Sequence, residues 1–157
     1  PNHVILPMCL YLELNLDREY ILHVMEVRQM IEPPIARQAA IHRTAHDLKT
    51  IEKTLITLEH CDPNNYTKQG QIDRDFHMAI AQACGNPLIP MIVTPIFKLM
   101  PKIRSLVYKY VDTAMSEATD YHRRIFEKIQ IQDPAGAYQM MVEHLIIAER
   151  HTQKIIA

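Results

Sequence analysis

Apolar side chains recur three and four positions apart along most of the chain, the spacing that puts residues on one face of an α-helix. No segment shows the alternation of a half-buried strand. Proline, glycine and asparagine divide the pattern into six helical segments. The first covers about residues 17–32 and is expected to stop at Pro33-Pro34. The second starts near those prolines, where a proline at the first helical position is tolerated, and runs to about residue 59. CDPNNY, at 61–66, has the composition of a loop, and the third segment spans about 67–84. Gly85-Asn86-Pro87 then reads as a stop, an N-cap and a proline restart. The fourth segment reaches about residue 111, with Pro90, Pro95 and Pro101 predicting kinks or an irregular first part. The fifth covers about 116–130, and Asp133-Pro134 caps a sixth that continues to the C-terminus. Short connections between long helices favour antiparallel neighbours, so the expected fold is an all-α bundle.

The pattern is broken in an orderly way. In the third segment Asp73, Phe76, His77 and Ile80 share one face, whereas Asp75 lies nearly opposite and should be solvated. An unpaired carboxylate on an inward face is costly. In the fifth, His122 falls inside the stripe of Ala118, Ile125, Phe126 and Ile129. In the sixth, His144 sits amid Ala137, Met140, Met141, Ala148 and His151. One inward histidine is ordinarily a core residue bonded to a backbone carbonyl, and an Asp-His pair four apart is ordinarily a local contact. Four such groups directed inward from three helices of one bundle point instead to a metal site. Three imidazoles and a carboxylate suit a divalent first-row ion, zinc first, with nickel, iron or manganese as alternatives.

His42 and His46 are also four apart, but Arg43, Asp47 and Lys49 surround them, and the buried stripe is expected to run through Ile35, Ala39, Thr44-Ala45, Leu48 and Ile51. That pair reads as a solvated face, as do His3, His23 and His60. His151 lies seven after His144, close to the C-terminus, and is left out of the set. Two arginines fall on apolar stripes: Arg28 with Ile21, Val24 and Met25, and Arg104 with Phe97, Met100, Val107 and Val111. Snorkelling, or an ion pair such as Arg28 with Glu32, would account for them. A guanidinium fork awaiting a carboxylate ligand is the functional alternative.

Composition narrows the classes further. At 157 residues the chain suits one domain with a proper core. A net charge of -1 gives no basic footprint for a phosphate backbone. Cys9, Cys61 and Cys84 are odd in number and widely spaced, which argues against disulfides and a thiolate zinc site and favours a reducing, cytoplasmic setting. No apolar run has membrane-spanning length. Three glycines are too few for a turn-rich β fold, and nine methionines are many. The chain begins at Pro1 without an initiator methionine and is read as a piece of something longer.

EVRQMIEPPIARQAA (26–40), DRDFHMAIAQACGNPL (73–88), YHRRIFEKIQIQDPAGA (121–137) and MMVEHL (140–145) together resemble the FCD domain, the C-terminal ligand-binding domain of FadR-type GntR transcription regulators. The resemblance implies an antiparallel bundle of six or seven helices with the site in its core, over residues 17–157, and makes 1–16 a linker remnant and lead-in. It implies a metal set of Asp73, His77, His122 and His144, which the branch of the family that binds acyl-coenzyme A lacks. It also implies a sensor, not a catalyst: a homodimer whose DNA contact lies in a preceding winged helix-turn-helix domain absent from these residues. The effectors of this branch are small acids such as lactate, pyruvate, gluconate or citrate, with Arg28 and Arg104 expected to neutralise the carboxylate. The rivals are a metal-dependent hydrolase and a structural metal in a dimerisation module. The hydrolase needs a general base beside the metal-bound water. Glu143 should point away from the face of His144, and no other inward carboxylate is expected.

Overall fold

The computed structural model of the protein describes residues 17–156, and the lead-in expected at 1–16 lies outside them. Among the described residues there are six helices and no strand: α1 (Arg18–His42), α2 (Ala45–Glu59), α3 (Tyr66–Ala83), α4 (Leu88–Tyr110), α5 (Ala114–Gln130) and α6 (Pro134–Ile156). The fold class is the expected helical bundle. α3 packs along α4, α1 along α6, and α5 and α2 close the sides against α6 and α3.

Most helix ends follow from local chemistry. Asp17 accepts from the Tyr20 amide at 2.9 Å and starts α1. Asp133 accepts from the Gly136 amide at 2.9 Å and starts α6, as the sequence predicts. Gly85 takes φ +82°, a left-handed turn, and a side chain there would also meet His42 Cβ at 2.8 Å. Asn86 accepts from the Leu88 amide at 3.0 Å, so its side chain caps α4 from one position further out than expected. α4 is helical through Pro95 and Pro101.

The stop expected at Pro33-Pro34 is not one. Both prolines lie inside α1, which continues to His42. Interior prolines cost helix stability. Here that cost is offset by burial, because Pro33, Ile35, Ala36, Ala39 and Ala40 all enter the core. The break comes at 43–44, where Thr44 and Asp47 form a reciprocal capping box. Thr44 and Ala45, expected in a buried stripe, are therefore exposed at a helix start.

The apolar core divides into three clusters. The largest gathers Ile51, Phe76, Ile80, Phe97, Ile125, Ile129 and Leu145; a second holds Val24, Met25, Leu99, Met100 and Ile103; a third holds Val107, Tyr108, Ala114 and Ala118. Between Met25 and Ile35 on α1, Ile103 and Val107 on α4, and Ala118 and Ile125 on α5, buried polar side chains separate the clusters: Arg28 and Glu32, Arg104, and His122. α3 and α4 come together closely, since a Cβ on Gly70 would lie 2.6 Å from the Pro101 carbonyl oxygen.

Candidate metal and effector centre

Asp73 and His77 on α3, His122 on α5 and His144 on α6 are all at most 2% exposed. The face periodicity that placed them inward is realised in full. Asp75 is exposed and paired with its neighbour Arg74 at 2.6 Å. The three histidines converge: each offers a ring nitrogen within 4.8 Å of the other two. His77 Nε2 and His144 Nε2 are 3.3 Å apart. Phe76 stacks on His122 with ring centroids 3.9 Å apart, and Phe97 lies edge-on to His77. Apolar rings thus pack against the imidazoles of His122 and His77.

Asp73 stands at the side of this cluster. Its Oδ1 is 3.6 Å from His122 Nε2 and 3.6 Å from Arg104 Nε, and accepts from the Tyr108 hydroxyl at 2.7 Å. Tyr108 in turn accepts from Arg104 Nη2 at 3.2 Å. The other carboxylate oxygen, Oδ2, has no partner.

Snorkelling does not describe either arginine, because Arg28 and Arg104 are both 1% exposed. Arg28 Nε meets Glu32 Oε1 at 2.5 Å, and its Nη2 lies 3.3 Å from His77 Nε2. Each guanidinium keeps its Nη1 unpartnered in the buried layer. Orphaned buried donors are rare in folded proteins and ask for a ligand or a trapped water.

The expectation of no further inward carboxylate is wrong. Glu32 is 2% exposed, and its Oε2 lies 2.5 Å from His77 Nδ1. It sits four residues after Arg28, so the inward arginine already marked its face; the prolines that follow had placed it at a helix end. Tyr108 was also missed, and it too is four residues after an inward arginine. Glu143 points away, accepting from Gln139 at 2.9 Å. His151 is buried but pairs with Glu117 at 3.2 Å. His23, His42, His46 and His60 are exposed.

Two guanidinium cations face two carboxylates, so the layer is neutral when its imidazoles are. Burial alone would raise the Glu32 carboxyl, but Arg28 and then His77 outweigh it and hold it at about 2. Burial likewise opposes ionisation of Asp73, and Arg104, His77, His122 and Arg28 together hold its carboxyl well below the usual range. Burial pushes His122 down to about 3, with Asp73 opposing and His77 and both arginines adding. Burial, then His122 and His77, keep His144 well below its ordinary value. His122 and His144 are therefore neutral at pH 7, the form that offers a lone pair to a metal.

The donor set fits a transition metal. Metal–imidazole distances of about 2.0–2.1 Å in a tetrahedral shell put neighbouring nitrogens roughly 3.3 Å apart. The His77–His144 nitrogen separation of 3.3 Å already matches. Both ring nitrogens of His122 lack a hydrogen-bond partner although the residue is 0% exposed, which a plain core histidine would not tolerate.

The family model for the FCD domain matches residues 23–146. The chain is 27% identical over 146 residues to the galactonate operon transcriptional repressor of Escherichia coli (strain K12), covering 92% of this chain and 62% of that protein. It is 28% identical over 133 residues to the putative L-lactate dehydrogenase operon regulatory protein of the same organism, covering 82% of this chain and 50% of that one. The chain thus spans half to two thirds of the length of these curated relatives. A solved structure titled Streptococcus agalactiae GntR superposes with a TM-score of 0.71 at 24% identity, over 82% of this chain and 57% of that one, a likeness of fold.

Proposed function

The chain belongs to the FCD domain family, the ligand-sensing part of GntR-family transcription regulators, and on that premise we propose that it senses a small carboxylate through a bound divalent metal. Its relatives are named as regulators, and the domain is regulatory, not catalytic. The observation that carries the metal reading is the convergence of His77, His122 and His144 from three helices, with both His122 nitrogens unpartnered. Those three residues would hold the ion, with Asp73 beside His122 as a fourth ligand. When bound, the ion supplies positive charge and open coordination positions for a carboxylate oxygen. Zinc fits the imidazole-rich set, and nickel, iron and manganese are its competitors.

Arg28 and Arg104 serve the effector. Each is fully buried, already fixed by one carboxylate, and left with a free Nη1 that can donate to a second. A divalent ion added to a neutral layer leaves an excess of positive charge, which an organic acid would balance. The names of the galactonate and L-lactate relatives make small hydroxy acids the first compounds to try. The acid would draw on groups carried by α1, α4 and α3 at once, and so bias how these helices sit. In the whole regulator that bias would pass to a DNA-binding domain, with the domain working as a homodimer.

His122→Ala together with His144→Ala should leave the purified chain without metal by elemental analysis; retention of metal at the wild-type level sinks the site assignment. Calorimetry with lactate, pyruvate, gluconate, galactonate and citrate, before and after chelator treatment, then separates the roles. Binding that needs the metal supports the sensor, and a metal-loaded chain that binds no acid supports a structural ion instead.

A further inference from the structure

We propose that Glu32 is a positioning residue for the imidazole centre, holding His77 as the Nδ1–H tautomer through Oε2 while holding Arg28 through Oε1. The proposal rests on the metal reading given above and adds to it a residue from a helix that supplies no ligand. Its basis is an accounting of partners. Glu32 Oε2 and His77 Nδ1 are 2.5 Å apart, both are sealed from water, and neither meets hydrogen-bond geometry with any group, the other included. Two lone pairs at that distance would repel, so the ring proton belongs on Nδ1, and a small turn of the ring aligns it with the carboxylate. The lone pair is then on Nε2, the atom that lies 3.3 Å from His144 Nε2. A carboxylate behind a ligating histidine fixes the ring and raises its basicity, and its removal weakens metal affinity about 10- to 100-fold.

The second arm of Glu32 links this ring to the effector side. Arg28 Nη2 lies 3.3 Å from the same Nε2. An ion held on that lone pair would take it away from the Arg28 N–H, which would then be free to donate to an anion. Glu32 keeps the guanidinium at the site meanwhile through its contact with Nε at 2.5 Å. Metal is thus expected to bind first and the acid second, and an acid without metal is expected to bind poorly.

The experiment compares the 157-residue chain with its Arg28→Met and Arg28→Met/Glu32→Met variants. Long-range nitrogen–proton NMR of the imidazoles reads the tautomers, and competition with a chromophoric chelator reads Zn²⁺ affinity. The expected result is an Nδ1–H His77 in wild type and in Arg28→Met. In the double variant the tautomers mix and Zn²⁺ affinity falls about 10- to 100-fold below that of Arg28→Met. Should Arg28→Met not fold, Glu32→Gln against wild type supplies the same comparison. An Nε2–H His77 in wild type, or a double variant equal to Arg28→Met in both readouts, overturns the proposal. If the wild-type chain takes up no Zn²⁺, the metal reading fails alone, and the tautomer comparison still decides the role of Glu32.

Discussion

Tyr108 shows how a residue that looks apolar in the sequence can hold a polar centre together. Its ring lines the third apolar cluster while its hydroxyl donates to Asp73 and accepts from Arg104. Burial pushes this phenol well above its usual range, Arg104 opposing and Asp73 adding, so it stays a donor at every working pH. Tyr108→Phe should cost about 1–3 kcal/mol, measured by urea unfolding, because Asp73 Oδ1 loses its one short donor in a dry site. A loss within about 0.5 kcal/mol would mean that Arg104 alone satisfies Asp73. At this scale the sequence was legible wherever a polar residue interrupted an apolar stripe, as at Asp73, His77, His122 and His144. It was not legible where the polar atom rides on an aromatic ring, as in Tyr108. Glu32 was legible as the ion-pair partner of Arg28 but not as the neighbour of His77, because its face depended on a helix boundary that the prolines placed too early.

Helix boundaries themselves divide by the strength of their local chemistry. Capped starts such as Asp17, Asp133 and the Gly85 turn could be read from three or four residues. The fate of Pro33-Pro34 could not, since it depends on what the next two turns bury against other helices. Thr44→Ala should cost about 1 kcal/mol in thermal or urea unfolding, as the capping box that now starts α2 is lost. Gly70→Ala tests a contact that no local rule reveals. Its Cβ would press 2.6 Å from a backbone oxygen of α4, so α3 must shift. We expect a loss of about 1–3 kcal/mol, and a weaker metal affinity, because the same helix carries Asp73 and His77. A stabilised variant would show instead that helix entropy outweighs the crowding.

For the whole molecule, the buried polar layer makes stability depend on pH, and the sign follows from which state binds protons. His122 takes up its proton near 6.5 when unfolded but only at about 3 when folded, and His144 shifts in the same direction. Below pH 6.5 the unfolded chain therefore holds more protons, and acid favours unfolding by about 1.4 kcal/mol per pH unit per imidazole. Glu32 adds to this only between about 4.5 and 2, where its unfolded and folded forms part company. The chelator-treated chain should thus lose melting temperature steadily from pH 7 to pH 5, while alanine at His122 should flatten the slope. An equal slope in that variant would place the titration elsewhere.

The complete enclosure of the three imidazoles also sets a timescale. Tyr108, which donates to Asp73, lines a surface hollow of about 460 Å³ with Tyr66, Gln69, Lys109 and Asp112. A solute in that hollow is still walled off from His77, His122 and His144, each at most 2% exposed. Exchange then has to wait for the helices to part, and the opening rate, not the collision rate, becomes the limit. Stripping of bound metal should accordingly reach a ceiling as chelator concentration rises, and Tyr108→Ala should lift that ceiling. A sensor built this way would respond to how long an acid persists as well as to how much of it is present.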